Sequence, residues 1–190
     1  MISLTQNIGQ IISLSDEEAA IVENAFGSIR ISKGDLWVRK GMVCNLVAFV
    51  VSGKLRNYYI NEIGDEITCF FVTPDNFITS FTSFLTNAPT NENISALEDT
   101  VLRVISKEDL EKLSQEIPRM HIFRRVIAEN LFIIMERRIM MLQSQTAFER
   151  YETMLKENHD IILSVPLQYT ASFLGITPQH LSRLRKDLTG

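Results

Sequence analysis

The spacing of apolar residues changes along this chain, and each change marks a different kind of element. Ser15-Asp16-Glu17-Glu18 has the form of a capping box. It predicts a short helix to about Phe26, with Ala19, Val22 and Phe26 on one face. From Ser28 to Ser106 the pattern becomes short β-branched and aromatic runs. Turn signals at Lys33-Gly34-Asp35, Lys40-Gly41, Ser52-Gly53-Lys54 and Ile63-Gly64-Asp65 separate them. Turns recurring about every 8–12 residues predict an all-β sandwich or barrel. The clearest strands are Leu46 to Val51, Leu55 to Ile60, Glu66 to Val72 and Val101 to Ile105, the middle two forming a hairpin around Asn61 to Asp65. Between Pro74 and Glu92, Phe77, Phe81, Phe84 and Leu85 recur at helical spacing. They predict a short helix, then a loop at Asn87-Ala88-Pro89.

After Ser106 the period is helical. Ser106 caps Lys107 to Ser114, and Pro118 opens a run to about Gln145 without glycine or proline. At ~1.5 Å per residue this helix is about 40 Å long. Its apolar residues, from Ile122 and Phe123 to Met141 and Leu142, cover more than one face. A wider apolar surface needs a second partner, and the simplest is the same helix of another copy. A further helix is expected over Ala147 to Asn158, and a short connection from His159 to Val165.

The segment from Val165 to Lys186 reads as two short helices around a tight corner. Leu167, Ala171 and Leu174 give the first an apolar stripe, and small Ala171 permits a close crossing. Gly175 ends that helix and Ile176 plugs the corner. Thr177 is a suitable N-cap and Pro178 suits the first helical position. With Leu181 and Leu184 facing inward, Gln179, His180, Ser182, Arg183 and Lys186 face outward and Arg185 lies at the edge. This is the pattern of a helix-turn-helix. Gln179, His180 and Arg183 are candidates for base edges, and Thr177, Ser182, Arg185 and Lys186 for phosphates.

Composition limits the alternatives. The 190 residues are 45% hydrophobic and 22% charged, an ordinary globular balance, with a net charge of -4. Binding to nucleic acid would therefore rest on a local basic patch. Cys44 and Cys69 sit among apolar residues without metal-ligand spacing, and read as reduced core cysteines. His121, His159 and His180 are far apart, with no nucleophile motif, metal-ligand pair or phosphate-cradling loop beside them. Neither catalytic residues, a metal nor an enzyme is expected. Met1 to Gln10 lacks the basic and apolar regions of a signal peptide, and no run approaches ~18 apolar residues. The expected compartment is the cytoplasm, without membrane association.

The order of these features resembles the Crp/Fnr family of bacterial regulators. The resemblance rests on Lys33-Gly34-Asp35, Lys40-Gly41, Phe49 to Arg56, Ala96 to Leu102, Ile105 to Leu110 and the helix-turn-helix. It implies an α+β fold: a double-stranded β-helix or jelly-roll sensor domain over 1–117, a dimerisation helix over 118–145 and a DNA-binding helix-turn-helix domain over 146–190. It also implies a homodimer on palindromic double-stranded DNA, with Gln179 and Arg183 where the family reads bases. Two departures stand out. Nucleotide-binding members carry a glycine–glutamate pair at a short helix and an arginine after its loop. Phe77 to Asn91 has neither. Losing that charge-assisted bond costs ~1.5–3 kcal/mol, one or two decades of affinity, so cyclic AMP binding is expected to be weak or absent. No cofactor is expected. Thr79, Ser80, Thr82, Ser83, Asn91 and Asn93 remain candidates for a neutral polar pocket holding an unidentified small ligand. The alternative reading is a sensor for such a ligand, with DNA binding as its output or lost. The second departure is an expected end of the recognition helix near Lys186, without the β wing of many relatives.

Overall fold

A computed structural model of the chain describes residues 2–157 and 159–189. Met1, Asn158 and Gly190, which bounded expected segments above, lie outside the described residues. The described chain divides into two compact units. One comprises the chain up to Asn57 together with Phe71–Glu129, the other Tyr58–Phe70 and the chain from Asn130 onward.

The first unit opens with helices α1 (Leu4–Gly9) and α2 (Asp16–Ala25), each started by a reciprocal capping box, Ser3 with Gln6 and Ser15 with Glu18. The sequence reading missed α1, although Ser3-x-x-Gln6 carries the same signal as the box it recognised. Among the described residues eight strands follow: β1 (Gly27–Ile31), β2 (Leu36–Val38), β3 (Leu46–Ser52), β4 (Leu55–Ile60), β5 (Glu66–Val72), β6 (Phe77–Ile78), β7 (Glu92–Ala96) and β8 (Thr100–Ser106). They form two four-stranded sheets, ordered β1-β8-β3-β6 and β2-β7-β4-β5. The ladders of β3 and β1 on β8 are antiparallel, with Val47 opposite Ile105 and Ile29 opposite Leu102. This is the expected roll.

β3 explains why its sequence is apolar without alternation. Ala48 and Val50 enter the roll's interior beside Leu55, Ile94 and Leu102. Phe49, on the opposite face, joins Leu4, Ile8, Val22, Ile105, Ile117 and Met120 in a second core under the helices. A strand buried on both faces loses its period-2 signal. α3 (Phe81–Thr86) is present, but Phe77 is not on it. Asp75 turns the chain with a φ of 68°, and Phe77 pairs with Phe49 on β3. Its ring lies 5.1 Å from that of Phe49 and 5.3 Å from that of Phe123. Aromatic spacing by 3 and 4 mimicked a helix where strand pairing prevailed.

α4 (Lys107–Glu116) is capped by Ser106, whose Oγ accepts from the Asp109 amide. α5 (Met120–Ser144) is the expected long helix. In the second unit follow α6 (Ala147–Glu157), α7 (His159–Ser164), α8 (Leu167–Leu174) and α9 (Pro178–Thr189). The expected connection from His159 is helical instead, because Ile161 and Ile162 both bury against this unit's core. α9 continues past Lys186 to Thr189, since neither glycine nor proline interrupts it. Tyr151, Met154, Ala171, Leu174 and Leu181 are buried together with Ile161 and Ile162. Among the described residues no helix is long and apolar enough to cross a membrane.

Candidate nucleic-acid interface

α8 and α9 are joined by a corner that the sequence specifies closely. Gly175 adopts a φ of 70°. Its amide donates to the Ser172 carbonyl at 3.1 Å, and the Ile176 amide donates to the Ala171 carbonyl at 3.0 Å. These two bonds form a Schellman end, which only glycine fills without strain. A Cβ on Gly175 would also press the Leu142 side chain at 3.4 Å. Thr177 then caps α9, its Oγ1 accepting the His180 amide at 3.2 Å, and Pro178 occupies the first helical position. Leu181 is fully buried, while Leu184 is only half-buried.

The opposite face of α9 is open. Gln179, His180, Arg183 and Lys186 are exposed, Thr177 is exposed at the cap, and Ser182 is half-buried. His180 and Arg183 line a shallow depression with Leu184 and Asp187. Asp187 was overlooked in the sequence, though it stands one turn from Arg183 on the same face. Arg185 is placed differently from the expectation. Its guanidinium carbon lies 6.0 Å from the Tyr151 ring centroid, and its Nε and Nη2 are buried. The open face thus offers amide, imidazole and guanidinium donors on a rigid rod of major-groove width.

The roll's candidate pocket residues are largely occupied with one another. Thr79 Oγ1 donates to the Leu46 carbonyl at 2.8 Å, and Ser83 Oγ donates to the Ala88 carbonyl at 2.6 Å while accepting the Cys44 amide at 2.8 Å. The Ser80 and Thr90 hydroxyls share a bond of 2.6 Å, and Asn93 Oδ1 accepts the Lys40 amide at 2.9 Å. These groups stitch α3 and its loop to the roll. Thr82 and Asn91 are exposed. The sequence reading also missed a buried polar pair on β4. Arg56 is 1% exposed and Asn57 5% exposed, with Asn57 Nδ2 donating to Glu92 Oε2 at 3.1 Å. Among the described residues no cluster of side chains could hold a metal ion.

Residues 28–116 match the cyclic nucleotide-binding domain family. No curated protein sequence matches the chain significantly. Solved structures do. FixK2 from Bradyrhizobium japonicum aligns with a TM-score of 0.76 at 19% identity, over 86% of this chain and 84% of that one. A CooA mutant from Carboxydothermus hydrogenoformans gives 0.75 at 20% identity, over 100% and 85%. The c-di-GMP responsive global regulator CLP from Xanthomonas campestris gives 0.72 at 16%, over 92% of each chain. These likenesses show a shared fold: a roll like the cyclic nucleotide-binding domain, a long helix and terminal helices in one order.

Proposed function

We propose that the chain is a DNA-binding transcription regulator of Crp/Fnr type, acting as a cytoplasmic homodimer on palindromic double-stranded DNA. The observation that carries this reading is the open face of α9. Gln179, His180 and Arg183 take base edges, and Thr177, Ser182 and Lys186 take phosphates. The division of labour follows the sequence: 1–117 senses, 118–145 dimerises and 146–190 binds DNA. Support for the dimer comes from α5, where Ala128, Phe132, Met135, Ile139 and Leu142 alternate by 4 and 3 residues, a heptad seam. Phe132 is 69% exposed and Ile139 55%, unusual for residues of this size unless a second copy covers them.

Selection of bound sequences from a random DNA pool tests the reading. The expected product is an inverted repeat whose half-sites lie about 34 Å apart, one helical turn. A pool without enrichment would overturn it.

Cyclic AMP is not the effector in this reading, because α3 and its loop carry no cation for the phosphate. A small neutral ligand in the roll is the second reading, and one observation favours it. Asn57 lies on the same side of β4 as Leu55 in the roll's core, and its buried Oδ1 has no hydrogen-bond partner. Mass spectrometry of the protein denatured after purification would reveal a bound compound. Calorimetry showing micromolar cyclic AMP binding would overturn the first statement.

A further inference from the structure

The tip of the β4–β5 hairpin, residues 58–70, belongs to the same compact unit as α8 and α9. Among the described residues β5 is the last strand of its sheet, and its outer edge has no neighbouring strand. Ser172 of α8 meets that edge. Its hydroxyl accepts the Thr68 amide at 2.9 Å and donates to the Glu66 carbonyl at 2.8 Å. Amide and carbonyl two residues apart point to one side of a strand, so a single hydroxyl engages both. Thr68 is 1% exposed.

The adjoining carbonyls of α8 are held by two arginines. Arg138 of α5 stacks on the Phe173 ring, 4.0 Å from its centroid, and its Nη2 donates to the Phe173 carbonyl. Arg150 of α6 donates from Nε to the Leu174 carbonyl at 2.9 Å and from Nη1 to the Gln145 carbonyl at 2.5 Å. Cations at a helix C-terminus complement its dipole. Three consecutive residues of α8, immediately before the Gly175 corner, are therefore tied to the hairpin, the long helix and α6 in turn.

We infer that this clasp fixes the direction in which α9 is presented relative to the dimer seam on α5, with Ser172 as a positioning residue for half-site spacing. The inference rests on the proposed DNA-binding role. Ser172 faces β5 rather than the open face of α9, so its effect acts through orientation and not through contact with DNA.

The experiment compares the full chain with Ser172→Ala and Ser172→Thr, the latter keeping the hydroxyl. Hydrogen exchange of the Thr68 amide reads the clasp without DNA. Binding to a set of palindromes whose half-site spacing changes one base pair at a time reads its consequence. Faster exchange at Thr68 in Ser172→Ala is expected. With it, discrimination between the best spacing and its neighbours should fall by about tenfold, about 1.4 kcal/mol. Ser172→Thr should restore both. Unchanged exchange at Thr68 would overturn the clasp. Faster exchange with unaltered spacing preference would overturn its positioning role. A wild-type chain that binds no DNA would overturn the role and the regulator reading together, while the exchange result would still report on the clasp.

Discussion

Arg103 on β8 holds the end of α2 through Glu23. Its Nη1 donates to Glu23 Oε2 at 2.8 Å, and its Nη2 reaches the carbonyls of Glu23 at 2.5 Å and Phe26 at 2.7 Å. One guanidinium thus ends a helix that has no glycine cap and ties it to an inner strand of a sheet. Hydrogen bonds to a charged group are worth ~1.5–3 kcal/mol, so Arg103→Ala should lower stability by about 2 kcal/mol. Urea unfolding checks this, and a loss below about 0.5 kcal/mol, the level of an ordinary surface change, would contradict it.

Gly53 should tolerate no side chain. Its φ is +92°, and a Cβ there would lie 2.6 Å from Thr100 Cα and 2.8 Å from the Asp99 carbonyl oxygen. Both contacts are backbone and cannot yield. Gly53→Ala should cost more than about 4 kcal/mol, the range of severe core damage. Gly34 has a φ of +90° but open space around it. Gly34→Ala should cost only the left-handed strain of ~1–2 kcal/mol. Thermal melts of the two variants side by side separate collision from strain.

Acid should loosen the first unit through two carboxylates. The Ser15 amide and the Arg119 guanidinium hold the Glu18 carboxyl below its ordinary value of 4.5, and Arg124 does the same for Glu111. Arg124 grips Glu111 with two bonds of 2.9 and 2.7 Å. Both folded values are depressed, so the stabilisation is complete above the unfolded value and is lost as pH falls through the folded one. The urea midpoint should drop between about pH 5 and lower values, and less steeply in Glu18→Gln. Identical slopes for the two proteins would remove Glu18 from the account.

Arg183 and Lys186 should behave differently on DNA. Arg183→Ala is expected to cost ~1–3 kcal/mol on the selected site and relax its sequence preference. Lys186→Ala should weaken all sequences alike and reduce the salt dependence by about one ion. Titrations of specific and random duplexes at several salt concentrations distinguish them. Equal losses on both duplexes for Arg183→Ala would make it a phosphate contact.

Charges placed in the proposed α5 seam should separate the proposed dimer. Phe132→Glu and Ile139→Glu leave the helix solvated but put carboxylates against each other across the interface. Sedimentation should then give the mass of one chain, with unchanged helical circular dichroism. A wild-type chain sedimenting as a monomer would refute the seam.

The sequence by itself determined what is local. The Ser15 and Ser106 caps, the strands from Leu46 to Val72, the long α5 and the corner from Ala171 to Pro178 all depend on neighbours a few residues away. Capping, turn geometry and side-chain period act at that range, and all were legible. The open face of α9 followed from the same spacing. Tertiary structure decided the rest, because it depends on partners far along the chain. Phe77 became a strand residue since Phe49 supplied its ladder. The segment from His159 became a helix since the core of its unit could bury Ile161 and Ile162. The hydroxyls of Ser80 and Ser83 were taken by Thr90 and Ala88, which spacing could not foresee. Arg185 turned to Tyr151, 34 positions before it, and Ser172 found the edge of β5 more than a hundred positions before it. A basic or polar side chain in a sequence states which bonds it can make. Only the folded neighbourhood decides whether it makes them with its own chain or keeps them for a ligand.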